Sequence, residues 1–262
     1  MCFQVQITIN IGEKMKILMM HNSGNVGKSL ATREVFYQNF SGDNKMVLEI
    51  ESRNASSSSF NMQVVRIDFD KPTALQDLTQ YGIIYDDYIL DVGSSEIKEF
   101  LSAIEKSREI LDEFDIIVVP TIKDQKIIPD TKKTMMIIRL LGYEEKLQVL
   151  FNRIINPSTI EEDFESLFTW AKKEKFSLNP HLYLSDYTES TNDLIKQKML
   201  SSELINDTTD YRALAIKHHQ DGEVEKSRKA SNSLLTQRIA KSLNNDAKVL
   251  YEKFKDIAKG VA

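Results

Sequence analysis

The chain has 262 residues, 41% of them hydrophobic and 28% charged, the composition of a globular protein long enough to bury a core without cross-links. A formal net charge of -5 gives no global attraction to nucleic acid, so any DNA contact has to come from a local patch. Cys2 is the one cysteine, which excludes an intrachain disulfide and fits a reducing compartment, here the cytoplasm. The four histidines and Cys2 lack metal-ligand spacing, and no apolar run reaches the roughly 18 residues of a bilayer span.

The first ten residues lack the basic start and long apolar stretch of a signal peptide. Residues 1–14 read either as an extension upstream of Met15 or, from the alternation between Phe3 and Ile9, as an extra edge strand; the sequence leaves both open. Met15 to Met20 is a nearly continuous apolar run, the pattern of a strand buried on both faces. A glycine-containing turn follows, then helical spacing from Lys28 to Phe40. Met46 to Ile50 predicts a strand, Ser56 to Ser59 a polar loop, Met62 to Ile67 another strand, and a helix begins near Thr73. Tyr88 to Val92 predicts a strand ending at Gly93, with a helix from Ser95 to about Leu111. Phe114 to Val119 is a strand stopped by Pro120. Thr131 to Leu141 is helical and closed by Gly142. Gln148 to Asn152 predicts a strand, Ile160 to Lys175 a helix, and Leu182 to Leu184 a short strand. From Ser190 the signal is helical, and Gly222 to Lys259 has no proline and no internal glycine.

Strands alternating with helices down to Leu184 predict an α/β fold, a mostly parallel sheet with helices on both faces. The expected organisation is an extension (1–14), a nucleotide-binding domain (15–188) and a C-terminal helical region packed on it (189–262).

The segment Asn22-Ser23-Gly24-Asn25-Val26-Gly27-Lys28-Ser29 follows a buried strand and opens a helix, the context that gives a phosphate-binding loop its meaning. Such a turn aims successive backbone N–H groups and a helix N-terminus at one point. Gly24 and Gly27 let the backbone approach phosphates, Lys28 reaches the β- and γ-phosphate oxygens, and Ser29 supplies a hydroxyl for Mg²⁺. Asn22 stands where the loop pattern has its first glycine, a substitution that asparagine's tolerance of left-handed backbone accommodates. Asp91, at a strand end, is a candidate for the Mg²⁺ shell; the competing role is the N-cap of the helix that follows. Glu49 and Glu51 alternate along one strand as candidate acids, whereas Asp68 and Asp70 read as a solvated turn before Pro72.

These residues resemble the ParA/MinD group of P-loop ATPases over Met15 to about Asn156. More narrowly, Ser23 to Ser29, Asp91-Val92-Gly93, Val119-Pro120-Thr121, Gln125-Lys126 and Asp207 to Arg212 resemble the StbB family of plasmid stability proteins, in that order along most of the chain to about Leu214. The resemblance implies an ATP- and Mg²⁺-binding switch in plasmid stability, partition or positioning, with hydrolysis of ATP to ADP and phosphate as its slow reaction. It implies that Asn152, at a strand end, recognises adenine; the residues alone equally allow a turn asparagine. The second strand's acid that positions water falls on Glu51, and the next acid of the group is replaced by Arg53. The group's signature lysine, which reaches a partner's nucleotide across a dimer, falls on Ser23. That departure puts a nucleotide-sandwiched homodimer in question and leaves Arg53 as the residue to cross such an interface.

The implied partner is a protein from the same plasmid operon, of which a DNA-binding protein is one kind. Direct DNA contact would have to use the lysines and arginines of the last helix, among them Lys226, Arg228, Lys229 and Arg238, but the acidic residues between them read as a solvated face and argue against a membrane-binding tail. The competing functional classes are a degenerate nucleotide-binding adaptor and a small-molecule phosphotransferase or ligase of the dethiobiotin synthetase type.

Overall fold

A computed structural model describes residues 14–50 and 60–260. The strand alternative at Phe3 to Ile9, and Glu51, Arg53 and the loop Ser56 to Ser59, lie outside the described residues. Seven strands form one sheet: β1 (Lys16–Met20), β2 (Lys45–Ile50), β3 (Val64–Arg66), β4 (Asp87–Val92), β5 (Ile116–Ile122), β6 (Leu147–Ile154) and β7 (Tyr183–Ser185). Their spatial order is β3-β2-β4-β1-β5-β6-β7, and every pairing is parallel.

The alternation of β1 explains why its residues are all apolar. Leu18 and Met20 face one core and Ile17 and Met19 the opposite one, so both faces are covered, as parallel sheets require. The first core is closed by α2 (Ala74–Ile84), α3 (Ile97–Ile104), α4 (Ile127–Leu141), the short α5 (Ile160–Asp163) and α6 (Glu165–Glu174). The second is closed by α1 (Lys28–Leu30), which continues in π-helical geometry through Ala31–Phe36, and by α7 (Thr188–Gln197), α8 (Ser201–Ile205) and α10 (Val224–Ala258); α9 (Tyr211–Gln220) packs on α10. Phe36 and Phe254 meet with ring centroids 5.2 Å apart, fastening α10 onto the helix that leaves the loop. Among the described residues no helix is long and apolar enough to cross a membrane.

Among the described residues the expected strands and helices are present with shifted boundaries, two of the shifts set by proline. Strand β5 runs through Pro120 instead of stopping there. Its pairing with β1 covers Ile116 to Val118 only, so Pro120 lies past the point where β1 needs a donor from it. Helix α4 begins at Ile127 and not Thr131, because Pro129 occupies its first turn, where no N–H is required. The helix expected from Ser95 to Leu111 is broken: α3 ends at Ile104 and a 3₁₀ segment spans Arg108–Glu113. The helix expected from Ile160 to Lys175 is interrupted at Phe164. Gly142 closes α4 with φ 93°, as its position implied, and Asp68 and Asp70 are exposed in a turn.

Candidate functional site

The chain leaves β1 toward β2 and β3 on one side and later places β5 to β7 on the other, so the crevice at the strands' carboxyl ends opens beside β1. The loop Asn22 to Gly27 occupies that crevice. Asn25 and Gly27 both have left-handed backbone, with φ of 59° and 94°. At Gly27 a Cβ atom would lie 1.7 Å from Asn152 Nδ2, so conformation and space both demand glycine. The carbonyl of Gly27 accepts from Ala31 N at 3.0 Å, starting the helix behind Lys28.

A cavity of about 410 Å³ opens over this loop. Gly24, Asn25, Gly27, Lys28 and Ser29 line it from the loop, Asp91 and Gly93 from the end of β4, and Asn152 and Arg153 from β6. Ser23 and Val26 do not reach its wall. The Ser23 hydroxyl donates to Asp130 on α4, and Val26 is fully buried with its carbonyl taken by Asn152 Nδ2 at 3.0 Å. Lys28, nine-tenths buried, sends its ammonium to the Ser23 carbonyl at 3.3 Å.

Asp91 is inside β4 and almost wholly buried, and its carboxylate accepts from the Thr32 hydroxyl at 3.1 Å. It is not a helix cap: α3 starts at Ile97, with Glu96 in the cap position. Its neighbour in register is Glu49 of β2, which is buried and faces Arg66 Nε at 3.7 Å. On the opposite wall the Asn152 amide is engaged at both ends: it donates to Val26 O and accepts from Arg153 N at 2.9 Å. Arg153, itself at φ 57°, donates to the Asn25 carbonyl at 3.1 Å. Asn152, two residues before the end of β6, therefore braces the loop Asn22 to Gly27, a role its position alone did not reveal.

Behind the loop lies a buried polar chain. Ser23 N donates to His21 Nδ1 at 2.8 Å, which leaves Nε2–H to donate to Thr131 Oγ1 at 3.0 Å. Thr131 donates in turn to the Ile127 carbonyl and meets the Thr121 hydroxyl at 2.8 Å. Burial, with Lys28 nearby, brings the His21 pKa down to about 4, so its imidazole is neutral and fixed in one tautomer near pH 7.

Residues that the sequence did not single out complete the cavity: Arg33 from the continuation of α1, Ser94 after β4, and Thr188, Asn192 and Ile195 from α7. The α7 residues lie more than 150 positions from the loop, and no spacing rule links them to it. The arrangement fits a nucleoside triphosphate with Mg²⁺. The glycine cradle would admit phosphate oxygens, Lys28 would neutralise them, and Ser29 and Asp91 offer the hard oxygen donors that Mg²⁺ takes.

No protein-family model matches the sequence, and no curated protein matches it. Among solved structures, the chain is similar to a plasmid partition protein from Borrelia burgdorferi bound to AMPPNP, with 13% identity over 71% of this chain and 95% of that one and a TM-score of 0.48. It is similar to the MinC:MinD cell division complex of Aquifex aeolicus (12% identity, 84% of this chain, 96% of that one, TM-score 0.47). A third similar structure is the McdA–ATP complex of Cyanothece (11%, 85% and 97%, 0.44).

Proposed function

We propose that this chain is an ATP- and Mg²⁺-binding P-loop ATPase of the ParA/MinD type that acts as a nucleotide-dependent switch in plasmid stability, partition or positioning. The observation that carries the reading is local. Gly27-Lys28-Ser29 opens a helix at the crevice beside β1, and Asp91 of the neighbouring strand faces the same cavity. The plasmid role is supported by the ordered motifs shared with the StbB family, from Ser23 to Arg212.

The residues divide the work as phosphoryl transfer demands, by position and charge. Backbone N–H groups from Gly24 to Ser29 and the Lys28 ammonium hold the phosphates. Ser29 and Asp91 would hold Mg²⁺, which when bound neutralises charge on the β- and γ-phosphates. Thr32 keeps the Asp91 carboxylate aimed at the cavity. The Ser23 side chain is a single hydroxyl tied to Asp130, so an ATP-linked homodimer, where formed, does without a loop lysine crossing to the partner.

Lys28→Ala tests the core of this reading. ATP affinity, measured by fluorescence titration with mant-ATP, is expected to fall roughly tenfold to hundredfold, the worth of a hydrogen-bonded charge. Wild-type affinity in the variant overturns the loop assignment. A turnover assay with and without DNA and the neighbouring operon protein then separates a switch from an adaptor that binds without hydrolysing.

A further inference from the structure

The helix that starts at Lys28 carries a second cation into the cavity. Arg33 is 4% exposed, lines the cavity wall, and its Nε has no hydrogen-bond partner among the described residues. A buried arginine normally has its planar fork of donors filled by carboxylates. Here the guanidinium lies 4.2 Å from the centre of the Phe60 ring, and Asp91, Glu49 and Glu34 supply the negative field around it. Each of these acids has another engagement: Asp91 accepts from Thr32, Glu49 faces Arg66, and Glu34 accepts from Ser201 N at 3.1 Å. A buried donor without a partner is costly to maintain, and this one sits at the edge of a phosphate site.

The position along the cavity says which phosphate it would meet. Ser29 and Asp91 would hold the metal that neutralises the terminal phosphates, and Asp91 belongs to β4, so that end of the nucleotide would lie on the β4 side of the loop. Arg33 shares that side, through its proximity to Asp91 of β4 and Glu49 of β2. The β6 side, with Asn152 and Arg153, is the opposite wall. We propose that Arg33 is this chain's own triphosphate-sensing cation, a specificity-determining residue whose guanidinium meets the γ-phosphate from within the same subunit and makes ATP bind in preference to ADP. The inference rests on the ATP-binding reading above. It also accounts for how a loop with Ser23 in place of a lysine supplies a second positive charge: the charge comes from one and a half turns further along the same helix. Burial pushes the arginine's pKa down from its ordinary value, but the ordinary value is so high that the group stays charged.

The test compares mant-ATP and mant-ADP affinities, each with Mg²⁺, in the full-length protein, Arg33→Met, Arg33→Lys and Lys28→Ala. Lys28→Ala is expected to weaken both nucleotides. Arg33→Met is expected to weaken ATP about tenfold while leaving ADP within about twofold. Arg33→Lys keeps the charge without the fork and is expected to recover part of the ATP preference. A purely structural arginine would weaken both nucleotides alike or neither, so an unchanged ATP-to-ADP ratio in Arg33→Met overturns the inference while the loop reading stands. If Arg33→Met does not fold, by circular dichroism, the ratio in Arg33→Lys decides in the same way. Failure of the wild-type protein to bind either nucleotide overturns both readings together.

Discussion

The two walls of the cavity are built from different chemistry. The β4 wall pairs charges: Asp91 and Arg33 line it beside Gly93 and Ser94, and Glu49 is buried behind them, next to Asp91 in register. The β6 wall holds the loop by its main chain, with no carboxylate among the residues that do so. Asn152 ties Val26 O to Arg153 N, and the Arg153 guanidinium reaches the Asn25 carbonyl, so main-chain atoms of the loop are fixed through an amide and a cation. The comparison teaches that the carboxylates and the main-chain bracing are separated across the loop: β6 fixes loop carbonyls, and the buried acids stand on the β4 side.

The sharpest way to break that division is at Gly27. Alanine there meets Asn152 Nδ2 and must adopt φ 94°. We expect Gly27→Ala to destabilise the protein by about 3 kcal/mol, combining backbone strain with an overpacked contact, and to remove ATP binding. Adding Asn152→Gly should relieve the contact and leave the strain, so urea unfolding of the double variant should recover only part of the loss. Full recovery would show that the amide alone dictates glycine.

On the charged wall the expected loss is in rate, not in shape. Asp91→Asn keeps the size of the side chain and removes its charge. Turnover should fall about hundredfold, of the order seen when one pre-organised electrostatic group is lost, while ATP affinity changes severalfold at most. Since Glu96, not Asp91, stands in the cap position of α3, the variant loses no helix cap; a large stability loss with normal turnover would move Asp91 out of the site.

The smallest effect lies behind the loop. His21 titrates near 6.5 when unfolded and at about 4 when folded. The unfolded chain therefore binds the extra proton between those values, and His21 destabilises the fold progressively as pH drops from about 6.5 toward about 4. The loss should be about 2 kcal/mol between pH 7 and pH 4.5. His21→Gln should remove that part of the pH dependence in urea titrations; a pH slope unchanged by the substitution would show that the imidazole is already protonated or exposed.

Much of this was legible before any coordinates. Buried parallel strands are continuous apolar runs, and β1, β2, β4 and β5 are unmistakable for that reason. The loop announces itself because Gly27-Lys28-Ser29 sits between such a run and a helix. What misled was punctuation read without its neighbours. Pro120 looks like a strand stop until the pairing shows that β1 has already ended beside it. Pro129 looks like a breaker until the helix start is seen to include it. The sequence alone assigns Arg33 no role, although Val35 and Phe36 beside it belong to a helix segment that the structure buries on every side; that crowding was the available signal. The Asn152–Val26 bond joins residues 126 positions apart, and only the strand order brings them together.

Helix α10 adds a mechanical consequence. It has 35 residues, so it is a rod about 50 Å long. Its C-terminal half is pressed against the helix leaving the loop through Leu243, Ala247, Leu250 and Phe254, all buried in that core. The first half shows more of its surface, with Val224 and Leu235 exposed. Such a rod is a lever with its fulcrum at the Phe36–Phe254 contact. A rotation of about 5° at the fulcrum moves a point halfway along the rod by about 2 Å, a distance that follows from helix length alone. A small tilt at this contact would thus be largest at the opposite end of the rod, where α9 and α10 meet.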